Sequence, residues 1–342
     1  MYIKGELWGY ESSALVIFYN LPSSVKFAVA PMLDWTDRHC RFFYRLLTKK
    51  TLLYTEMMVA DAVIHGIREK LLTFNHEECP VALQLGGTDP NELAEAARIA
   101  EDFGYNEINL NVGCPSNRVQ AGAFGACLML HPDIVANAVE AMKQVVTIPV
   151  TVKCRIGVDE QDEELALDLL ANQVWNAGCD ALWIHARKAW LQGLSPKENR
   201  NIPPLNYERV YKLKRQYPHK FIGINGGIKS IDEIKEHLTF CDAVMVGRQV
   251  YHDPTLLKHI DFELYGELQN HLSESDLIEV MCDYAAQHIA SGGRLSHVTR
   301  HMIGLFHGRD GARRWRQILS NDATKPNADI YILKEAFSAL IE

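Results

Sequence analysis

Residues 107–115 read Glu-Ile-Asn-Leu-Asn-Val-Gly-Cys-Pro, and this stretch shows the pattern on which the fold prediction rests. Its first part, Glu107–Leu110, is a short run typical of a β-strand. The run opens into Asn111-Val-Gly-Cys114-Pro, where a glycine and a proline flank the cysteine and force the backbone to turn. One strand that ends in polar and reactive residues decides little by itself, but the pattern recurs along the chain.

Seven further short apolar runs resemble this one, and amphipathic segments lie between them. Asp89-Pro90 and Ser230, followed by Glu233, predict helix starts. The predicted helices include Asn91–Phe103, Asp133–Val145, Glu164–Trp175 and Tyr207–Arg215. The predicted strands are Phe27–Ala30, Leu52–Tyr54, Val81–Leu85, Glu107–Leu110, Val150–Val152, Ala181–Ile184, Phe221–Ile224 and Ala243–Val246.

Eight strand-then-helix units over about 230 residues predict an α/β fold of the (β/α)8 type, a TIM barrel. The competing architecture is a doubly wound open sheet. That fold should carry a G-x-G-x-x-G turn after its first strand, and the sequence has none there. We therefore expect a barrel, in which the carboxyl ends of all strands meet at one mouth and form the active site.

Polar or reactive residues lie at or just after the end of each predicted strand, with Gln84 inside the third, so the barrel would bring them together. They are Pro31-Met32-Leu33, Thr55-Glu56, Gln84, Asn111 with Cys114, Lys153, His185, Asn225-Gly226-Gly227 and Gly247-Arg248.

The last two of these groups indicate a phosphate site, because barrels commonly bind phosphate after strands 7 and 8. The glycines allow backbone N–H groups to approach an anion, and Arg248 can add charge-assisted hydrogen bonds. The alternative is two ordinary glycine turns beside a surface arginine.

Lys153 ends an apolar strand, where a cation is costly unless it meets a negative partner. A flavin fits, because its ring edge becomes anionic on reduction. The alternative is an ion pair inside the barrel with a carboxylate such as that of Glu56. Gln84 could bond the flavin ring or be an ordinary satisfied polar residue. His185 could contact the phosphate or the ring, or be structural.

Cys114 lies on a loop over the mouth, where a thiol can serve as nucleophile or general acid. The other cysteines are interpreted as packing residues. Because the eight cysteines are scattered without zinc-ligand spacing, no metal site is expected, and reduced thiols favour a cytoplasmic location. The seven packing cysteines are Cys40, Cys79, Cys127, Cys154, Cys179, Cys241 and Cys282.

The net charge of −8 argues against indiscriminate nucleic-acid binding, but residues 294–316 hold six arginines and one acid. A basic end on an acidic body indicates a local anionic partner. No apolar run is long enough to span a bilayer, and the N-terminus lacks the features of a secretory signal. Nothing indicates an obligate protein partner, which favours a monomer.

Ordered motifs along the chain make it resemble the tRNA-dihydrouridine synthases, and most closely their A subfamily. The resemblance runs from about Phe27 to the C-terminus, and no counterpart is recognised for the first 26 residues. The motifs are Ala-Pro-Met-Leu-Asp-Trp-Thr-Asp at 30–37, Thr-Glu-Met at 55–57, Gln-Leu-Gly-Gly at 84–87, Ile-Asn-Leu-Asn-Val-Gly-Cys-Pro-Ser at 108–116, Val-Lys-Cys-Arg-Ile-Gly at 152–157, Ile-His-Ala-Arg-Lys-Ala-Trp at 184–190, Ser-Pro-Lys-Glu-Asn-Arg at 195–200, Ile-Asn-Gly-Gly-Ile at 224–228 and Val-Gly-Arg at 246–248.

The resemblance implies an N-terminal extension of open role (1–26), an FMN-binding TIM barrel (27–265) and a helical tRNA-binding domain (266–342). It implies reduction of D-loop uridines, at positions 20 and 20a by analogy, to 5,6-dihydrouridine. By the same resemblance, hydride would pass from N5 of reduced FMN to uracil C6, and Cys114 would donate the proton to C5. NADPH re-reduces the flavin transiently, since the sequence has no dinucleotide motif. The uridine must leave its stack, and Trp35 and Trp190 could assist, although core packing is their ordinary role.

The family's binding residues carry over by position. The resemblance implies that Pro31, Met32 and Leu33 lie along the flavin, and that Gln84 and Lys153 bond its ring. The remainder of FMN, chiefly its phosphate, is held by His185, Asn225, Gly226, Gly227, Gly247 and Arg248. The residues implied in tRNA binding are Asn111, Lys197, Arg200, Arg313 and Arg316.

Two other functions remain open from the residues alone. A flavin barrel acting on a small molecule would share the FMN site but would not need the arginine-rich end. An RNA-binding barrel without catalysis is opposed by the joint presence of Cys114 and Lys153.

Overall fold

The computed structural model describes residues 22–116, 122, 124–270 and 272–340. Its centre is a closed barrel of eight parallel strands arranged in chain order, with the eighth paired to the first. This confirms the predicted fold class and all eight predicted strands. The strands are β1 (Phe27–Val29), β2 (Leu52–Val59), β3 (Val81–Gly86), β4 (Glu107–Val112), β5 (Val150–Arg155), β6 (Ala181–His185), β7 (Phe221–Asn225) and β8 (Ala243–Val246).

Helices surround the barrel and continue beyond it. The helices of the barrel region are α1 (Arg38–Leu47), α2 (Ala60–His65), α3 (Arg68–Leu72), α4 (Pro90–Asp102), α5 (Pro132–Lys143), α6 (Glu163–Asn176), α7 (Tyr207–Gln216), α8 (Ile231–Leu238), α9 (Arg248–His252) and α10 (Leu257–Tyr265). Those that follow are α11 (Glu274–Ala290), α12 (Leu295–Thr299), α13 (Ala312–Asn321) and α14 (Ile330–Ser338). Short 3-10 segments occur at His76–Glu78, Gly125–Leu130, Glu198–Arg200 and Pro254–Leu256.

The predicted helix starts are confirmed by their capping hydrogen bonds. The Asp89 side chain accepts from the backbone N–H groups of Asn91 and Glu92, with Pro90 in the first turn. The Ser230 hydroxyl accepts from the N–H of Glu233 at the start of α8. These caps satisfy backbone donors that have no partner within the helix.

Several strands run further than the sequence predicted. The second strand continues through Thr55 and Glu56 to Val59, with a register shift between Tyr54 and Met57. Polar residues that the sequence placed after the strand, such as Thr55 and Glu56, therefore belong to its C-terminal half. Because side chains alternate between the two faces of a strand, each extension adds an inward-facing position at the mouth.

The lower half of the barrel interior is mostly apolar. Trp183 fills it, and a Cβ on Gly223 of the neighbouring strand would lie 2.2 Å from the Trp183 ring. A larger residue at position 223 would displace the Trp183 ring, so the absence of a side chain at Gly223 leaves space for the indole. Val25 packs with this cluster, and the Lys26 ammonium donates to Leu264 O at 2.7 Å. The last residues of the predicted N-terminal extension thus contact the barrel; residues 1–21 lie outside the described ranges.

The helices after the barrel join it through a specific polar contact. The Asp37 carboxylate caps α1 and also pairs with Arg300, and with Nε2 of His301 at 3.0 Å. Gly266, in the left-handed conformation with φ 69°, ends α10 at the predicted domain boundary. The division of the chain at residue 265 stays a prediction. Within the described ranges, no helix is both long and apolar enough to cross a bilayer.

Candidate active site

Strand register brings the predicted site residues together at one end of the barrel. Asn111 pairs with Lys153, and His185 pairs with Asn225, each across adjacent strands. Arg155, at the end of β5, pairs with His185. The carboxyl ends of β4 to β7 therefore present one continuous rim of polar side chains.

Lys153 points into this mouth without a counter-charge. Its ammonium donates to Oδ1 of Asn225 at 3.2 Å, and no described carboxylate forms an ion pair with it. Burial, and then the neighbouring charge of Arg155, lowers the pKa of Lys153 to about 8. The alternative pair with Glu56 is not formed, because the Glu56 carboxylate accepts the backbone N–H of Asp34 instead. An ammonium group without a carboxylate partner is suited to bind an anionic ligand.

The imidazole of His185 lies among cations. Burial lowers its pKa well below the usual range, and Arg155, Lys153, Arg187 and Arg248 lower it further. Its buried Nδ1 has no hydrogen-bond partner among the described residues. A neutral imidazole with one free nitrogen fits a ligand better than it fits a purely structural role.

Arg155 belongs to the mouth, although the sequence analysis did not select it. Its guanidinium donates to the carbonyls of Gly113, Lys188 and Asn199 at 3.1–3.2 Å. Burial, and then the charge of Arg200, lowers its pKa to about 10. The residue therefore ties the loop that carries the thiol to the loop that follows β6. Its place two residues after Lys153, on the same face of the strand, was the available signal.

The glycines after β7 form a tight corner. Gly226 and Gly227 have φ values of 121° and 76°, which side chains rarely adopt. A Cβ on Gly227 would also lie 2.7 Å from Leu205. The Tyr207 hydroxyl donates to the Gly226 carbonyl at 2.6 Å and holds the corner in place.

Arg248 and Gly247 adjoin that corner. Arg248 donates to Oδ1 of Asn201 at 2.8 Å and to the Arg200 carbonyl at 3.1 Å. A Cβ on Gly247 would lie 3.3 Å from the sulfur of Met32. Arg248 is therefore held at the rim by these hydrogen bonds, next to the predicted flavin-contacting segment.

Cys114 is half-buried on the opposite side of the mouth. Its backbone N–H, and that of Gly113, donate to Oδ1 of Asn111 at 3.0 and 3.1 Å. Its thiol lies 3.6 Å from the Ser116 hydroxyl. Of the other cysteines, Cys79 and Cys127 are partly exposed, against the packing interpretation; the buried ones are Cys40, Cys154, Cys179, Cys241 and Cys282.

Gln84 and Asn111 contact each other directly. The Asn111 amide donates to Oε1 of Gln84 at 2.8 Å, and Gln84 is almost fully buried. Each of these side chains keeps an N–H available for a ligand.

The rim near β1 carries Pro31, Met32 and Leu33, of which Leu33 is 65% exposed. Trp35 stacks on Tyr251 with ring centroids 4.2 Å apart. An exposed apolar side chain next to a buried polar mouth provides a surface against which a planar ring could lie.

Two pairs of exposed basic residues lie around the mouth, and Arg200 is close enough to Cys114 and Arg155 for their charges to interact. Lys197 and Arg200 are exposed on the loop after β6, which is pinned by the buried Asn199 side chain through Trp190 and Leu194. Arg313 and Arg316 are exposed on one face of α13.

Several of the arginines in residues 294–316 lie close to acidic residues of the protein itself. Arg300 pairs with Asp37, and Arg309 pairs with Glu274. Arg314 lies 3.9 Å from Glu335. Arg313 and Arg316 form no ion pair with a described residue, so they are free to meet an external anion.

Comparison with known proteins identifies the family. The dihydrouridine synthase model matches residues 28–341. The tRNA-dihydrouridine(20/20a) synthase of Vibrio vulnificus (strain CMCP6) is 54% identical over 318 residues, covering 93% of this chain and 97% of that protein. The enzyme of the same name from Escherichia coli (strain K12) is 53% identical over 333 residues, covering 97% and 96%.

A third relative of that name, from Shewanella oneidensis, is 56% identical over 314 residues, covering 92% of this chain and 93% of that protein. Among solved structures, morphinone reductase aligns with a TM-score of 0.49 at 13% identity, covering 74% of this chain and 88% of that chain. The family match confirms the resemblance drawn from the motifs: this chain belongs to the dihydrouridine synthase family.

Proposed function

We propose that this chain binds FMN in the barrel mouth and reduces uridines 20 and 20a of the tRNA D-loop to 5,6-dihydrouridine. The observation that carries the proposal is the uncompensated charge at the mouth. Lys153 is half-buried and Arg155 is buried there, and neither has a carboxylate partner among the described residues. Buried cations are stable only with an anion close by, and a flavin mononucleotide supplies one at its phosphate and one at its reduced ring.

The residues present fit FMN at three points. The corner at Gly226 and Gly227, with Arg248 beside it, has the open backbone and the cation that a phosphate requires. Lys153 and Gln84 have donors available for the polar edge of the ring. Pro31, Met32 and Leu33 offer apolar contact, while Asn225, Gly247 and the free nitrogen of His185 complete the set.

When bound and reduced, FMN supplies the hydride for C6 of uracil. The protein must then protonate C5, and Cys114 is the acid at the mouth. The nearby cations Lys153, Arg155 and Arg200 interact favourably with the thiolate that this proton transfer leaves behind. Asn111 aligns the uracil by donating its remaining N–H, which requires the base to be extruded from its stack.

The tRNA itself is held by exposed basic residues around the mouth. Arg313 and Arg316 lie three positions apart on one face of α13, a spacing that suits a phosphate backbone. Lys197 and Arg200 approach the substrate from the loop after β6. These unpaired arginines favour tRNA over a small molecule as substrate, with residues 266–342 as the tRNA-binding domain.

The electron donor, the oligomeric state and the cellular location are part of the same proposal. NADPH reduces the flavin transiently, because the chain has no dinucleotide motif. The enzyme acts as a monomer in the cytoplasm, where its tRNA substrate is present.

The test uses the purified full-length chain. It should be yellow with bound FMN, and with NADPH it should form dihydrouridine at positions 20 and 20a of an unmodified tRNA transcript. A transcript with cytidine at both positions is the matched control and should stay unreduced. A colourless protein that refuses added FMN would contradict the proposal, as would equal reduction at other uridines of the control transcript.

A further inference from the structure

A continuous chain of side-chain hydrogen bonds runs up the barrel interior. At its lower end, the Thr151 hydroxyl donates to the Glu107 carboxylate at 2.6 Å. The Asn109 amide donates to the Thr151 oxygen at 2.8 Å, and the Gln84 amide donates to Oδ1 of Asn109 at 2.7 Å. The Asn111 amide closes the chain on Gln84 at 2.8 Å. Five buried side chains from three adjacent strands thus link the floor of the barrel to the mouth.

The backbone at the upper end of this hydrogen-bond chain determines which group of each side chain donates and which accepts. The N–H groups of Gly113 and Cys114 can only donate, so the atom of Asn111 that faces them must be the oxygen. The nitrogen of Asn111 then faces Gln84, whose nearer atom must be an oxygen. By the same reasoning, the Gln84 nitrogen faces the Asn109 oxygen, and the Asn109 nitrogen faces the Thr151 oxygen. The Thr151 hydroxyl therefore donates to Glu107.

Glu107 sets the same direction from below. Oε1 of Glu107 accepts from the hydroxyls of Thr151 and Tyr54. Burial raises the pKa of Glu107 to about 7, but a proton on the other oxygen, Oε2, leaves Oε1 an acceptor in both protonation states. An acceptor at the floor obliges every side chain above it to donate downward. Both ends of the chain therefore specify one orientation for each amide.

The position of Glu107 does not favour stability. The side chain is fully buried, and its Oε2 has no partner among the described residues. The register partner of Glu107 on β3 is the apolar Ala82. An apolar residue of similar volume would cost less to bury. The carboxyl group therefore needs another reason to be there.

We propose that Glu107 is a positioning residue that reinforces, from the floor of the barrel, the Asn111 orientation that the backbone sets from above, and that it thereby stabilises the backbone at Cys114. The inference rests on the proposed function for its catalytic consequence. Asn111 is left with both oxygen lone pairs occupied and one N–H free, so it meets the substrate only as a donor. An inverted Asn111 would present the wrong group and release the loop that carries the thiol.

The experiment compares two matched pairs of variants of the full-length FMN-bound protein. Glu107→Met and Thr151→Val remove a link of the chain while keeping volume. Glu107→Gln and Thr151→Ser keep the oxygen that the chain uses. Thr299→Val, a buried threonine whose hydroxyl bonds its own helix, is the control for the substitution itself.

The first measurement is hydrogen–deuterium exchange in the peptide that contains residues 113 and 114, since Asn111 protects both amides. Exchange should be about fivefold to tenfold faster in Glu107→Met and Thr151→Val, as expected for one lost hydrogen bond. It should match wild type within about twofold in Glu107→Gln, Thr151→Ser and Thr299→Val. Asn111→Ala sets the upper limit of the effect.

Wild-type exchange in both disrupting variants would overturn the inference, as would an Asn111→Ala variant that exchanges no faster. Equal acceleration in Glu107→Gln and Glu107→Met would also overturn it, because the charge and not the acceptor would then matter. Should Glu107→Met fail to fold, Thr151→Val and Thr151→Ser decide alone.

The second measurement is turnover of tRNA. We expect kcat to fall about tenfold in the two disrupting variants with KM for tRNA unchanged, because tRNA is held elsewhere. If the wild-type protein reduces no uridine, the proposed function fails. The hydrogen–deuterium exchange rates of the variants still test whether Glu107 positions Asn111.

Discussion

Lys153 of β5 and Asn225 of β7 meet across the mouth of the barrel, where the ammonium donates to Oδ1 of Asn225 at 3.2 Å. The amide of Asn225 in turn donates to the Met245 carbonyl on β8 at 2.7 Å. The relay holds the ammonium in place without neutralising it, since an amide oxygen carries no formal charge. The cation is thus positioned for a ligand before the ligand arrives.

Replacing Lys153 by methionine should weaken FMN binding about tenfold to a hundredfold, the cost of a lost charge-assisted hydrogen bond. The wild-type affinity should also depend on pH. Because the pKa of Lys153 is about 8, the ammonium is charged below that pH and becomes neutral as pH rises through it. Quenching of FMN fluorescence, titrated at several pH values, should show affinity falling above pH 8 in wild type. The same slope in Lys153→Met would assign the titration to another group.

Cys114→Ala should lower the rate of uridine reduction by a factor of about 10² to 10⁴, the range for loss of a general acid. The affinity for tRNA should stay within about twofold, because the phosphate backbone dominates affinity. Single-turnover reduction of tRNA by the pre-reduced protein measures this step. Cys79→Ala, at another half-buried thiol remote from the mouth, is the matched control and should behave as wild type. Equal rates for both variants would remove Cys114 from its role.

The sequence predicted the strands well because each is a local apolar run, and the order of strands in a barrel is the order of the chain. It predicted the ends of strands less well. Arg155 follows Lys153 by two positions and lies on the same face of β5. It was missed because the predicted strand ended at Val152, before the alternation could be continued.

The residues deeper in the barrel did carry a signal in the sequence. Polar and apolar residues alternate along Glu107–Val112 and Val150–Arg155, which places Glu107, Asn109 and Thr151 on the same strand faces as Asn111 and Lys153. The sequence could not show that these side chains bond to one another, because that depends on the register of neighbouring strands. The contact between Asp37 and Arg300 joins residues 263 positions apart. No local pattern could pair them, since many other acids were available to each arginine.

The contact of Asp37 with Arg300 and His301 should make stability depend on pH at the acid end. Burial alone would raise the pKa of Asp37, but hydrogen bonds from His301, Cys40 and Arg300 hold it well below its usual range. A lowered carboxyl pKa stabilises the fold above the unfolded value near 3.9 and loses that contribution as pH falls below it. Urea unfolding between about pH 2 and pH 7 should show this contribution constant above about pH 5 and falling steadily below about pH 4.

Two variants of Asp37 separate its two roles. Asparagine keeps the helix cap but loses the charge, and alanine loses both. We expect Asp37→Asn to cost about 1–3 kcal/mol at neutral pH, and Asp37→Ala about 1 kcal/mol more. Asp37→Asn should also lose much of the acid dependence. An unchanged acid dependence would show that other carboxylates control it.

Arg313 and Arg316 should each contribute one phosphate contact to tRNA. Replacing either by glutamine should weaken tRNA binding and lower the slope of log affinity against log salt by about one, because one fewer counterion is released. The double variant should lower the slope by about two, while FMN content stays the same. Arg309→Gln is the matched control, since that arginine is already paired with Glu274 and has less charge to offer. A salt slope that falls equally for Arg309→Gln would mean that the net charge of the C-terminal helices, and not two positioned arginines, attracts the tRNA.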